Sequence, residues 1–133
     1  MVSPKRIMSA HRFAVYVFRI AAVWGFLVLT PLLFMFDRIG AMDPPPITHP
    51  GFYYGFVATA LAWQVLFAVI STDPARYVPM MPVAVLEKFG YALTVVVLYG
   101  QGRMHASDLP FAGTDAILGI LFLVAFVRVR RER

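Results

Sequence analysis

Pro110-Phe111-Ala112-Gly113-Thr114-Asp115-Ala116-Ile117-Leu118-Gly119-Ile120-Leu121-Phe122-Leu123-Val124-Ala125-Phe126-Val127 is the stretch on which the fold turns. Asp115 is of a type that caps helices. If it did so here, only residues 116–127 would follow, about 18 Å of helix against a hydrocarbon core of about 30 Å. A helix that starts at Pro110 is about 27 Å long, which suffices to cross if Arg128 snorkels at its end. The stretch therefore reads as a membrane span with a carboxylate more than one turn inside it.

Three more apolar stretches precede it, Phe13–Phe36, Gly51–Ile70 and Val83–Tyr99. The chain is 60% hydrophobic and 14% charged, well away from the roughly 45–50% apolar and 25% charged residues of soluble domains. The expected fold class is an all-α membrane protein, a four-transmembrane-helix bundle that forms one integral-membrane domain over residues 1–133. A cleaved signal peptide is the competing reading of the first span. The apolar run Ile20–Phe36 is long for one, and Ile39-Gly40-Ala41 is a poor cleavage site.

Charge sets the expected orientation. Ten Lys and Arg fall on the half of the bundle that holds both termini, and two, Arg38 and Arg103, fall on the other half. By the positive-inside rule both termini are expected to be cytoplasmic, in a multi-pass protein of a bacterial inner (plasma) membrane. The net charge of +5 lies outside the apolar runs, so it reads as topology signal and anionic-lipid contact rather than nucleic-acid recognition. With no Cys, thiolate metal sites, disulfides and Cys nucleophiles are excluded.

Punctuation within the chain is mostly proline. Pro31 should kink the first span in its outer half, with Thr30 helping to satisfy the released carbonyls. Asp43-Pro44-Pro45-Pro46 makes the loop Asp37–Pro50 stiff. Tyr53 and Tyr54 suit an interfacial aromatic belt. Thr72 or Asp73 can cap a turn begun by Pro74, and Pro82 suits the first turn of the third span.

Charges inside spans are costly and carry the functional expectations. Arg19, Gln64, Glu87 and Lys88 fall at similar depth, so an ion pair Arg19–Glu87 is expected, with Gln64 bonded to either and Lys88 snorkelling outward. Glu87, Tyr91, Thr94, Leu98 and Gln101 share one helix face, which should line the bundle core as a polar seam or a cavity. Asp115 is expected to meet Gln101, Thr30, His49 or His105. Gly51, Gly55, Ala58 and Ala62 form a small-residue face for helix packing, within the bundle or against another subunit. His11, His49 and His105 all lie away from mid-span, so a bis-His haem is not expected, and neither is any metal or other cofactor.

His49-Pro50-Gly51-Phe52-Tyr53-Tyr54-Gly55-Phe56, Trp63-Gln64, Asp73-Pro74-Ala75-Arg76-Tyr77 and Leu86-Glu87-Lys88-Phe89 resemble a group of small uncharacterised bacterial membrane proteins. The layout of residues 47–127 is similar to that of DoxX-like four-helix proteins. The resemblance implies architecture and association with membrane complexes, and assigns no residue a role.

No phosphate loop, nucleophile elbow or HExxH is present. The expected function is therefore that of a non-enzymatic accessory or structural subunit of a membrane complex, whose partners are the lipid bilayer and another membrane protein or a second copy. The alternative is a ligand-binding or catalytic bundle that uses a buried carboxylate, Glu87 or Asp115. A small proton-coupled exporter is a third expectation, though the small multidrug transporters carry their essential Glu in the first span, where this chain offers Arg19.

Overall fold

The computed structural model describes residues 3–133; residues 1 and 2 of the single expected domain lie outside the described residues. The described chain is all-helical. Its helices are α1 (Pro4–Leu29), α2 (Phe36–Met42), α3 (Pro50–Thr72), α4 (Met81–Gly100) and α5 (Leu109–Arg131). Four segments are long and apolar enough to cross a membrane: Pro4–Phe34, Pro50–Thr72, Val78–Gly100 and Ala106–Arg131.

The last three helices begin and end within four residues of the expected spans. α5 starts at Leu109 with proline in its first turn, as the length of the Asp115 stretch requires. The first span differs more. α1 begins at Pro4 rather than Phe13, because Ser3 accepts a hydrogen bond from the Arg6 amide and Pro4 sits in the first turn. A Ser-Pro pair is a helix-start signal in its own right, but the polar residues 3–12 hid it.

At Pro31 the helix tightens into a 3-10 turn, Thr30–Phe34, and restarts as α2. The first half of the expected stiff loop is thus helical. Thr30 is exposed. The hydroxyl that reaches this segment is that of Tyr53, which donates to the Leu32 carbonyl at 2.7 Å. Phe36 stacks on Tyr54 at 5.5 Å and meets Tyr53 edge-on at 5.2 Å, so the aromatic belt also fastens α2 to α3. Tyr53→Phe keeps both rings and removes the hydrogen bond, and should lower the unfolding midpoint in detergent by an amount equivalent to about 1 kcal/mol. An unchanged midpoint would show that the Leu32 carbonyl is satisfied by other means.

α1 packs against α3 and α5, and α4 packs against α5, whereas α3 and α4 meet only sparsely. The four helices thus follow the order α3–α1–α5–α4 around a bundle with one open side. Between α3 and α4 the Asp73 carboxylate caps its turn by accepting from the Arg76 amide at 3.1 Å. The centre of the core is aromatic. Phe18 stacks on Phe122 at 4.2 Å, and Phe67 meets Phe122 edge-on at 4.9 Å.

Close helix approach comes from α1. Its buried face carries Ala10, Ala14, Ala21, Ala22 and Gly25, small residues that let backbones come together. The face expected to do this on α3, Gly51, Gly55, Ala58 and Ala62, is exposed instead. It packs against nothing within the chain at its two glycines, where an added Cβ would meet no atom within 4 Å.

Candidate functional site: a charged triad behind a side groove

Lys88 occupies the middle of the buried face of α4, which runs Met81, Ala84, Lys88, Ala92, Val95. Its residue is 5% exposed, the only buried charge among the described residues. A lysine survives there because its three needs are met. Its Nζ donates to Asp115 Oδ1 on α5 at 3.2 Å. It lies 3.5 Å from Glu87 Oε2. It also stands 5.2 Å from the centroid of the Phe67 ring on α3, a cation–π distance.

The expected arrangement is therefore corrected by one residue step, about 100° around the helix. Lys88 turns inward rather than snorkelling. Arg19 does not pair with Glu87: it follows Phe18 on α1, which is fully buried, and so faces out and is exposed. Asp115 meets Lys88 rather than Gln101, Thr30, His49 or His105. His105 contacts Asp43 instead, joining the two loops at the end of the bundle away from the termini.

Gln64 bonds neither Arg19 nor Glu87. It is buried against α1, where its Nε2 donates to the Ala60 carbonyl of its own helix at 2.9 Å and its Oε1 has no partner. Gly25 makes room for it, since a Cβ there would stand 1.9 Å from Oε1.

The polar stripe of α4 flanks the core rather than lining it. Thr94 and Gln101 are exposed, and the Thr94 hydroxyl donates to the Gly90 carbonyl at 2.8 Å. Glu87 and Tyr91, both half-buried, form one wall of a groove where α3 and α4 diverge.

That groove is open to the surface and about 470 Å³ in volume. Its α3 wall is Gly51, Phe52, Gly55, Phe56, Thr59, Ala60 and Trp63. Phe56 and Tyr91 face each other across it with ring centroids 6.3 Å apart. Glu87 is its one charged lining residue, and its partner among the described residues is the Lys88 ammonium, 3.5 Å from Oε2. Lys88 and Asp115 stand behind this wall, between α4 and α5.

Chemically, the groove offers aromatic and small-residue walls, one carboxylate with unused acceptor capacity, and one phenol. Among the described residues no three His, Cys, Asp or Glu side chains converge on a metal-sized site. The groove itself escaped sequence reasoning. Its lining is split between two helices, and only the separation of α3 from α4 creates it. No protein-family model matches the chain, and no curated protein or solved structure is significantly similar to it.

Proposed function

We propose that this chain is an integral membrane protein that binds a lipophilic small molecule in the groove between α3 and α4, with Glu87 as the polar anchor. The observation that carries this reading is a groove of about 470 Å³ whose walls are mostly apolar and aromatic and whose lining includes one carboxylate, Glu87. The Lys88 ammonium at 3.5 Å is the one partner of this carboxylate among the described residues, and a carboxylate accepts more than one donor. A bound molecule with a donor or a positive charge would add a second partner. The volume falls within the roughly 300–1,000 Å³ usual for small-molecule sites, and the mostly apolar lining with few polar groups, Thr59, Glu87 and Tyr91, fits the same pattern. Membrane insertion, with both termini cytoplasmic in the plasma membrane, rests on the four apolar helices and on the distribution of Lys and Arg. Ligand would then enter sideways from the lipid.

Trp63 gives a direct test, because it lines the groove and the chain has only one other tryptophan, Trp24. In a Trp24→Phe background, in maltoside micelles, a dibrominated C12 amphiphile that enters the groove quenches Trp63 saturably. Gly55→Leu fills the groove from a position where its Cβ meets nothing, and should abolish the saturable phase while the helical circular dichroism is retained. Quenching that rises linearly and identically in both proteins would reduce the groove to an ordinary surface.

The accessory-subunit reading keeps one specific observation in its favour, the outward-facing small residues Gly51, Gly55, Ala58 and Ala62 on α3. Small residues of this kind suit contact with a span of another protein. Under that reading Gly55→Leu would expel a stoichiometric partner during mild native purification, rather than a small molecule.

A further inference from the structure

The charges around the groove do not balance, and the direction of the imbalance names its occupant. Three ionisable side chains meet at this point. Glu87 and Asp115 carry one negative charge each when ionised, and Lys88 carries one positive charge. All three are largely withdrawn from solvent, with side-chain exposures of 17%, 16% and 7%. The sum is one uncompensated negative charge among apolar walls, where isolated charge is costly.

The distances place that surplus. The Lys88 ammonium donates to Asp115 at 3.2 Å and pairs more loosely with Glu87 Oε2 at 3.5 Å. Asp115 lies on α5, behind α4. The more loosely paired carboxylate is thus the one that lines the groove.

The other walls agree with this sign. Phe52, Phe56, Trp63 and Tyr91 present four aromatic rings to the groove, and no lining residue is cationic. Aromatic faces attract cations, Trp most strongly. Rings around a single carboxylate are poor company for an anion and suit an organic ammonium.

We infer that the groove selects a lipophilic organic cation, a substituted or quaternary ammonium whose charge rests on Glu87 between the rings of Trp63 and Tyr91 and whose apolar remainder lies along the α3 wall toward Gly51. This inference rests on the ligand-binding reading above and specifies the ligand's charge. A trimethylammonium group has the same chemistry whether it belongs to a free amphiphile or to a choline headgroup, and the occupant is defined by that group. One proton shared by the two carboxylates would balance the same charge, and in that case a neutral ligand would serve equally well.

The test compares three probes that carry the same dibrominated C12 chain, ending in trimethylammonium, in the uncharged 3,3-dimethylbutyl ether, or in sulfonate, each titrated against Trp63 fluorescence in the Trp24→Phe protein. The expected result is saturable quenching by the cation at about tenfold or more lower concentration than by the neutral isostere, and none by the sulfonate. Glu87→Gln should erase the difference between cation and neutral probe while leaving the neutral one unchanged. That variant balances Lys88 against Asp115 alone, and so should fold at least as well as the parent chain.

Equal affinity for cation and neutral isostere would overturn the inference and leave the groove a ligand site. Saturable quenching by no probe would overturn the ligand-binding reading itself. A phosphatidylcholine with the same brominated chains distinguishes the sources. Competition by it at comparable concentration assigns the ammonium to a lipid headgroup, and absence of competition assigns it to a free cation; either outcome supports the inference once the cation preference is seen.

Discussion

Lys88→Met is expected to be the most damaging single substitution in the chain, lowering stability by about 3–5 kcal/mol. Methionine fills nearly the same volume and keeps the unbranched stem, so packing against Phe67 changes little. What disappears is the one positive charge between Glu87 and Asp115, 3.5 and 3.2 Å away. Two carboxylates are then left near one another with no counter-charge, both largely withdrawn from solvent. The same logic predicts the rescue. Lys88→Met combined with Asp115→Asn and Glu87→Gln leaves no charge to compensate, and should recover most of the loss. Asp115→Asn alone should be milder than Lys88→Met, because Glu87 remains beside the ammonium. Unfolding midpoints of the four proteins in detergent decide the matter. A Lys88→Met midpoint equal to that of the parent would show that the ammonium is not what holds the two carboxylates in place.

The second large effect concerns a single hydrogen atom's worth of space. At Gly25 a Cβ would stand 1.9 Å from Gln64 Oε1, 2.2 Å from its Cδ and 2.7 Å from its Cγ. Gln64 is 2% exposed and its amide is tied to the Ala60 carbonyl, so it has little room to withdraw. Gly25→Ala is expected to push α1 away from α3 and cost about 1–3 kcal/mol. In a Gln64→Ala background the sign should reverse. The obstacle is then gone, and alanine gains about 0.8–1.0 kcal/mol over glycine in a helix interior. A Gly25→Ala effect of the same size and sign in both backgrounds would mean that the two residues do not share this contact.

The architecture was legible in the sequence because its signal is additive. Length and apolarity accumulate over about 20 residues, and a few misplaced side chains do not disturb the sum. The position of Asp115 inside the last helix followed from helix rise alone. The side-chain partners did not, for a reason visible at α4. Polar residues at Glu87, Tyr91, Thr94 and Gln101 trace one face, while Met81, Ala84, Lys88, Ala92 and Val95 trace another about one residue away. Periodicity identifies both faces and does not say which is the core. The polar stripe is the expected inward face, and in the structure the small and apolar set takes that place, with Lys88 at its centre.

Arg19 fails in the same way. Rotation about the helix is set by Phe18, whose ring joins Phe67 and Phe122 and leaves its neighbour facing out. Small residues misled as well. The glycines and alanines of α3 looked like a packing face, but the contact is made by Ala10, Ala14, Ala21, Ala22 and Gly25 on α1, where they are interspersed with bulkier residues and less conspicuous.

The pairing of Lys88 with a residue on the last helix also orders events in time. During synthesis α4 emerges before α5, so the ammonium has only Glu87, its own neighbour, until residue 115 arrives. An adjacent Glu-Lys couple carries no net charge, which is the cheapest form in which such a helix can wait in apolar surroundings. When α5 joins, Asp115 accepts a hydrogen bond from the ammonium while Glu87 stays beside it, and Phe122 completes the ring cluster with Phe18 and Phe67. The second counter-charge of the lysine thus arrives only with α5, and a chain stopped short of it leaves the ammonium with one carboxylate instead of two.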